Sequence, residues 1–235
     1  MSLFLKLLLA HLLGDFLLQP KAWVDSKMQL KLNSAFIYIH VFIHLILIMV
    51  LAANEMPFYM AFPIAFSHLL IDLIKIYSST EKTMAFWFVL DQLMHLSVLI
   101  IVAQRYDPFL EDIISNIIIN DLILLAICII LITKVGSLVI KHLISRWTPE
   151  ETGIKNISLQ SAGSYIGMLE RLFVFGFIIF GYVEAIGFLI AAKSVFRFSD
   201  LRSQGMKMTE YILIGTLISF GWACLVALIY LSAAH

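Results

Sequence analysis

Residues 34–53 read SAFIYIHVFIHLILIMVLAA, a run with no Asp, Glu, Lys or Arg that carries two imidazoles, His40 and His44. A stretch this long and apolar suits a helix crossing the roughly 30 Å hydrocarbon core of a bilayer. The four-residue spacing puts both imidazoles on one helix face, one turn apart. The same arrangement recurs in three other apolar segments of the first hundred residues: His11 with Asp15, His68 with Asp72, and Asp91 with His95. A charged side chain near the centre of a span costs roughly 2.5 to 3.5 kcal/mol even on lenient insertion scales. The three Asp alone therefore carry a debt of about 10 kcal/mol unless something compensates them, and a cation facing the interior of a helix bundle is the simplest compensation.

Composition agrees with a polytopic membrane protein. Of 235 residues, 61% are hydrophobic and 14% charged, with a mean hydropathy of +0.96; soluble domains carry about a quarter charged residues. With 16 basic and 16 acidic residues the net charge is zero, which gives no basic surface for nucleic acid. Cys128 and Cys224 lie in apolar runs, far from any paired pattern, and read as packing residues. The first segment superficially resembles a signal peptide. It lacks a small-x-small cleavage site and contains His11 and Asp15, so it is expected to be a retained span.

The fold class expected is all-α, a polytopic helical membrane protein with about eight transmembrane helices over residues 2–19, 34–53, 57–77, 84–104, 116–142, 161–180, 182–198 and 207–232. Loops after the odd-numbered spans hold 12 of the 16 basic residues, whereas Arg105 stands beside Asp107, Glu111 and Asp112 on the other side. The positive-inside rule then puts both termini outside and the basic loops in the cytoplasm. Residues 20–33 mix Trp23 with Lys21, Lys27 and Lys31 and suit a helix lying among lipid headgroups. The polar stretch 148–160 divides the chain, with five expected spans before it and three after, and the two parts show no clear repeat. The organisation expected is a His/Asp-rich four-span part at 1–104, a fifth span and loop at 105–160, and C-terminal spans at 161–235.

Opposed chain directions turn the four pairs into one site. Counted from the cytoplasmic ends, Asp15, His40, Asp72 and Asp91 fall at roughly 6 to 11 Å depth, and His11, His44, His68 and His95 at roughly 12 to 17 Å, at 1.5 Å per residue. Imidazole with carboxylate suits zinc, manganese, iron or nickel. Eight candidate ligands exceed one tetrahedral ion, so the expected cofactor is a divalent metal, zinc or manganese first, either dinuclear or mononuclear with outer Asp and His partners. A proton relay without metal is the competing use of the same residues.

The C-terminal spans carry Glu170, Arg171, Glu184, Lys193, Arg197 and Glu210. Buried ion pairs such as Glu170 with Lys193 or Arg197 are one reading. The other makes Arg171, Lys193 and Arg197 a cationic mouth for an anionic substrate such as a phosphate headgroup. Gly163-x-x-x-Gly167 reads as a close helix contact.

The stretches His11-Leu-Leu-Gly-Asp15-Phe-Leu-Leu-Gln19, Trp23 with Lys27, Ser67-His68-Leu-Leu-Ile-Asp72 with Lys75, and Asp91-Gln92-Leu-Met-His95 resemble a bacterial integral-membrane family known as domain of unknown function 3307. Glu170-Arg171, Lys193 with Arg197, and Glu210-Tyr211 are similar to the C-terminal part of its longer members. The resemblance implies a multi-pass protein of the bacterial inner membrane and marks these positions as important, without implying a reaction. A looser similarity, in His-rich short spans, is to inner-membrane proteins described as metal-dependent hydrolases; it is an analogy of fold.

Three functions follow. The first is a membrane-embedded metal-dependent hydrolase acting from the cytoplasmic side on a lipid or lipid-linked ester or phosphoester, with His11, His44, His68, Asp72, Asp91 and His95 as metal ligands, Asp15 or His40 as general base or ligand orienter, and Arg171, Lys193 and Arg197 holding the anionic head. The second is a divalent-cation or proton transporter using the same His/Asp layer. The third is a non-catalytic membrane sensor or interaction module. The expected partners are membrane lipid and a divalent metal, with a homo-oligomer left open.

Overall fold

The structure, a computed structural model, describes residues 2–80, 82–107, 121–144, 157–204 and 206–234; within these, side chains are described except at 2, 121, 157–162, 196–209 and 234. The described residues contain helices and connecting turns and no strand. They divide into two compact units, Met1–Ile127 and Cys128–His235. Most of the 148–160 loop lies outside the described residues.

In the first unit, α1 (Ser2–Leu12) runs into one π-helical turn, Leu13–Leu17. Pro20, which has no N–H and holds an extended backbone, ends that run, and the chain bends by 83° into α2 (Lys21–Leu30). Helix α2 lies against α3 (Ala35–Leu51) through stacking of Trp23 on Phe36 and a hydrogen bond between the Ser26 and Ser34 hydroxyls. Then come α4 (Ala61–Ser78) and α5 (Met84–Tyr106). Helix α1 packs on α3 and α5, and α4 packs on α3 and α5, closing a ring of four helices. One end of that ring is a dry core of Leu3, Leu7, Ala10, Ile48, Ala61, Ile64, Leu99 and Ala103. Leu3 N–H donates to Asp107 and Lys6 pairs with Glu55, pinning the start of α1 at that same end. The polar pairs therefore gather toward the other end, beneath α2.

The second unit contains the rest of α6 (Asp121–Ile130), a second π-helical turn at Leu131–Val135, α7 (Gly136–Ile144), α8 (Ile157–Ile179), α9 (Glu184–Gln204) and α10 (Met206–Ala234). A π turn leaves backbone carbonyls out of the regular ladder. Here Trp222 Nε1 donates to Leu131 O at 2.9 Å, and Arg171 donates through Nε to Ile132 O and through Nη2 to Thr133 O. Helix α8 stops where the sequence was hardest to divide. Gly181, at φ +79°, lets Tyr182 N–H reach Phe177 O and its own N–H reach Ile178 O, a glycine-based helix end that a side chain would strain.

Among the described residues, four helices are long and apolar enough to cross a membrane, Phe58–Ser78, Met84–Tyr106, Leu122–Ile144 and Glu210–Ala233; the bent pair Leu3–Leu17 and Lys21–Asn33 makes up to five, and Ala35–Leu51 is apolar but shorter. Each expected span corresponds to helix where it is described, the start of 116–142 lying outside the described residues, but fewer than eight meet this standard among the described residues. The outer faces support the membrane assignment. Phe42, Val50, Phe62, Phe66 and Ile101 are all more than half exposed, a surface suited to lipid.

Gly136 has no room for a methyl group, since a Cβ there would lie 2.9 Å from Trp222 Nε1 and 3.0 Å from Leu131 O. Gly136→Ala is expected to push the indole off its carbonyl and cost about 1 to 3 kcal/mol. Thermal unfolding in detergent checks this, and an unchanged melting temperature would refute the clamp.

Candidate metal centre

Asp15 lies in the π-helical turn that follows α1. Beside it, Gly14 lets the His44 ring approach the backbone; a Cβ at that position would fall onto the imidazole. Nε2 of His44, His40 and His68 lie 3.0, 3.2 and 3.5 Å from Asp15 Oδ1. Nε2 of His40 and His68 are 3.0 Å from each other. Four potential ligand atoms from three different elements thus lie around one carboxylate oxygen, α3 supplying two through its i,i+4 pair.

The spacing decides what they suit. Ligands about 2.0 to 2.1 Å from a tetrahedral zinc stand about 3.4 Å from one another, which brackets the separations seen. Protons alone can also link these groups, His44 Nε2 donating to Asp15 Oδ1 at 3.0 Å and one proton being shared between His40 and His68 Nε2 at 3.0 Å.

Charge points to the same place. Asp72 Oδ2 takes Lys27 Nζ at 2.7 Å, and Asp91 Oδ2 takes Lys75 Nζ at 2.7 Å. No lysine or arginine pairs with Asp15 among the described residues. Three carboxylates against two ammonium groups leave one negative charge, and it sits among the imidazoles. Asp15 Oδ2 has Gln92 Nε2 at 3.3 Å and His11 Nε2 at 3.9 Å. Gln92 Oε1 lies 3.2 Å from His11 Nε2, so one amide links helices α1 and α5.

Three groupings have metal-ligand proximity: His11, Asp15, His44 and His68; His40, His68 and Asp72; and Asp15, Asp91 and His95. All eight sequence candidates of the first unit are therefore gathered in one cluster. The two expected layers interlock, since His40 of the shallower set touches His68 of the deeper one. Asp15, expected as base or orienter, occupies the central position. Asp72 and Asp91, expected among the ligands, each carry a lysine. Beyond the imidazoles, a cavity with about 20 Å³ of space for water centres is lined by His11, His44, His68 and His95 on one side and Leu7, Ile48, Ile64 and Leu99 on the other. That is room for about one water.

Lys27, Lys75 and Gln92 are the members that sequence reasoning left without a role. Lys75 follows Asp72 by three positions on α4 yet serves Asp91 of the neighbouring helix. Lys27 arrives only because the bend at Pro20 folds α2 over the bundle. In the second unit, Arg171 is buried and makes donor contacts to Ile132 O, Thr133 O, Ser137 Oγ and Ser219 Oγ. Lys193 pairs with Glu170 at 2.7 Å. Both expected anion-binding cations thus have protein partners, and the Arg197 side chain lies outside the described residues.

The first unit is a small helical bundle with a buried His/Asp cluster. The chain belongs to the family described as protein of unknown function DUF3307, which matches residues 3–124 and so covers the entire cluster and neither Arg171 nor Lys193. No curated protein and no solved structure matches the chain.

Removing Lys27 leaves Asp72 charged and buried. Lys27→Met is expected to cost about 3 to 5 kcal/mol, and Lys27→Met with Asp72→Asn to recover most of it. Unfolding of the three proteins in detergent tests the pair; equal losses for the single and double variants would contradict it.

Proposed function

We propose that this protein is a membrane-embedded, metal-dependent hydrolase of lipid or lipid-linked esters or phosphoesters. In this reading it has eight spans with both termini outside, and the basic loops and the Lys27 and Lys75 end of the cluster face the cytoplasm of a bacterial inner membrane. One observation carries the reading: the carboxylate of Asp15, met by no lysine or arginine among the described residues, has three imidazole nitrogens at 3.0 to 3.5 Å. Asp15, His40, His44 and His68 would hold the ion, zinc or manganese by donor type. A divalent metal held there supplies Lewis acidity and an acidic bound water.

Other features support hydrolysis over a purely structural ion. Asp15 is the only member of the eight that is not fully buried, and it adjoins Leu17 and Leu18, which are 46% and 45% exposed. A lipid ester would approach along that edge. The water-sized cavity against His11, His44, His68 and His95 gives a reactant water room beside the cluster. Arg171 and Lys193 are satisfied inside their own unit and have no role in this reading.

Cation transport is the second reading. It is favoured by the position of that cavity, on the side of the imidazoles away from Lys27 and Lys75, where an ion leaving the cluster would pass.

Protein purified in detergent is expected to hold at least one equivalent of zinc or manganese by mass spectrometry, and Asp15→Asn less than a tenth. Turnover of lipid esters or phosphoesters is expected to fall at least about a hundredfold on chelation and return with metal. Metal flux into proteoliposomes without turnover would instead establish transport. A metal-free wild type after loading would overturn both.

A further inference from the structure

Three buried polar atoms of the cluster have no hydrogen-bond partner, His40 Nδ1, Asp91 Oδ1 and His95 Nε2, and the last two belong to one face of α5. Asp91 is fully buried; its Oδ2 takes Lys75 and the Gln92 amide, but Oδ1 has no hydrogen-bond partner, with His95 Nδ1 near it at 3.7 Å. One turn on, His95 is 3% exposed and its Nε2 has no partner. The tautomer of His95 follows from its other nitrogen. Nδ1 lies 2.9 Å from the Asp91 carbonyl oxygen, which can only accept, so Nδ1 carries the proton and Nε2 presents a lone pair. That backbone contact is what orients a histidine for metal.

Buried acceptors left bare cost about 1 to 3 kcal/mol each, so a donor or a cation belongs with them. A water in the cavity would reach His95, which lines it, but Asp91 does not line it. Potential ligand atoms of Asp15, Asp91 and His95 all lie within 4.8 Å of one another. Asp15 is shared: Oδ1 faces His40, His44 and His68, while Oδ2 faces Gln92 and His11.

The two lysines separate the carboxylates into different roles. Lys27 is 5% exposed, so releasing Asp72 would strand an ammonium group inside the bundle. Lys75 is 29% exposed and sits at the end of a flexible stem, so it can leave Asp91 for solvent when a stronger cation arrives. Asp91, not Asp72, is the carboxylate free to change partners.

We propose that the carboxylate of Asp91, the imidazole of His95 and Asp15 form a second divalent-cation seat, with Asp15 bridging it to the first. This rests on the first seat proposed above. With more carboxylate and less imidazole than its neighbour, the second seat suits manganese and binds more weakly. Lys75 acts as its competing internal cation.

Metal-free full-length protein in detergent, titrated with manganese chloride, tests this by stoichiometry and electron paramagnetic resonance. Wild type is expected to take two equivalents, the second weaker, with a spin-coupled spectrum; His95→Gln takes one equivalent with an uncoupled six-line spectrum; Asp15→Asn takes neither. Lys75→Met is expected to tighten the second equivalent about tenfold or more, the worth of one competing charged hydrogen bond. A purely structural Lys75 would not produce that gain. One uncoupled equivalent in wild type overturns the second seat and leaves the first standing, and none overturns both. Two coupled equivalents in His95→Gln overturn the ligand assignment. Should His95→Gln fail to fold, the wild-type stoichiometry and the Lys75→Met titration decide.

Discussion

The carboxylate of Asp15 is the constraint around which the first unit is arranged. Its side chain is only 10% exposed at the edge of an apolar bundle, no lysine or arginine pairs with it among the described residues, and three imidazole nitrogens crowd one of its oxygens. An ionised carboxylate in that setting is costly unless a positive charge meets it. The π-helical turn places it there, Gly14 clears the space for His44, and Gln92 engages its other oxygen. The dry core at the far end of the ring fixes the four helices so that the imidazoles from α3 and α4 stay within reach.

Lys27 and Lys75 complete the electrostatics in unequal ways. Both neutralise an aspartate at 2.7 Å, yet one is sealed under α2 and the other borders solvent. The sealed pair makes α2 part of the bundle's stability. The accessible pair gives the cluster one carboxylate whose partner can change. A site with one fixed and one exchangeable neutralising charge suits a centre that takes up cations and also stands without them.

Much of this was legible in the chain. The i,i+4 pairs name their helix faces, and four such pairs on apolar segments imply a common interior, which is where all eight residues lie. The amphipathic stretch at 20–33 announces α2. What the pattern could not show was geometry set by backbone detail. The π turn at Leu13–Leu17 moves Asp15 to the centre of the imidazoles, and hydropathy has no signal for it. Lys27 looked like one of several loop lysines until the bend at Pro20 carried it inward. Arg171 is similar: its partners include the carbonyls of a second π turn, and carbonyls freed by a π turn leave no mark in a sequence. Gln92 was readable only as a neighbour of Asp91. The division at Ile127 and Cys128 falls inside an apolar helix with no linker composition to mark it.

The central claim is that three histidines and Asp15 form a metal ligand set. X-ray absorption at the zinc edge of the zinc-loaded protein addresses it directly. The account predicts a nitrogen and oxygen shell at about 2.0 to 2.1 Å with the outer-shell scattering of about three imidazoles. A shell of oxygens without imidazole scattering would contradict it.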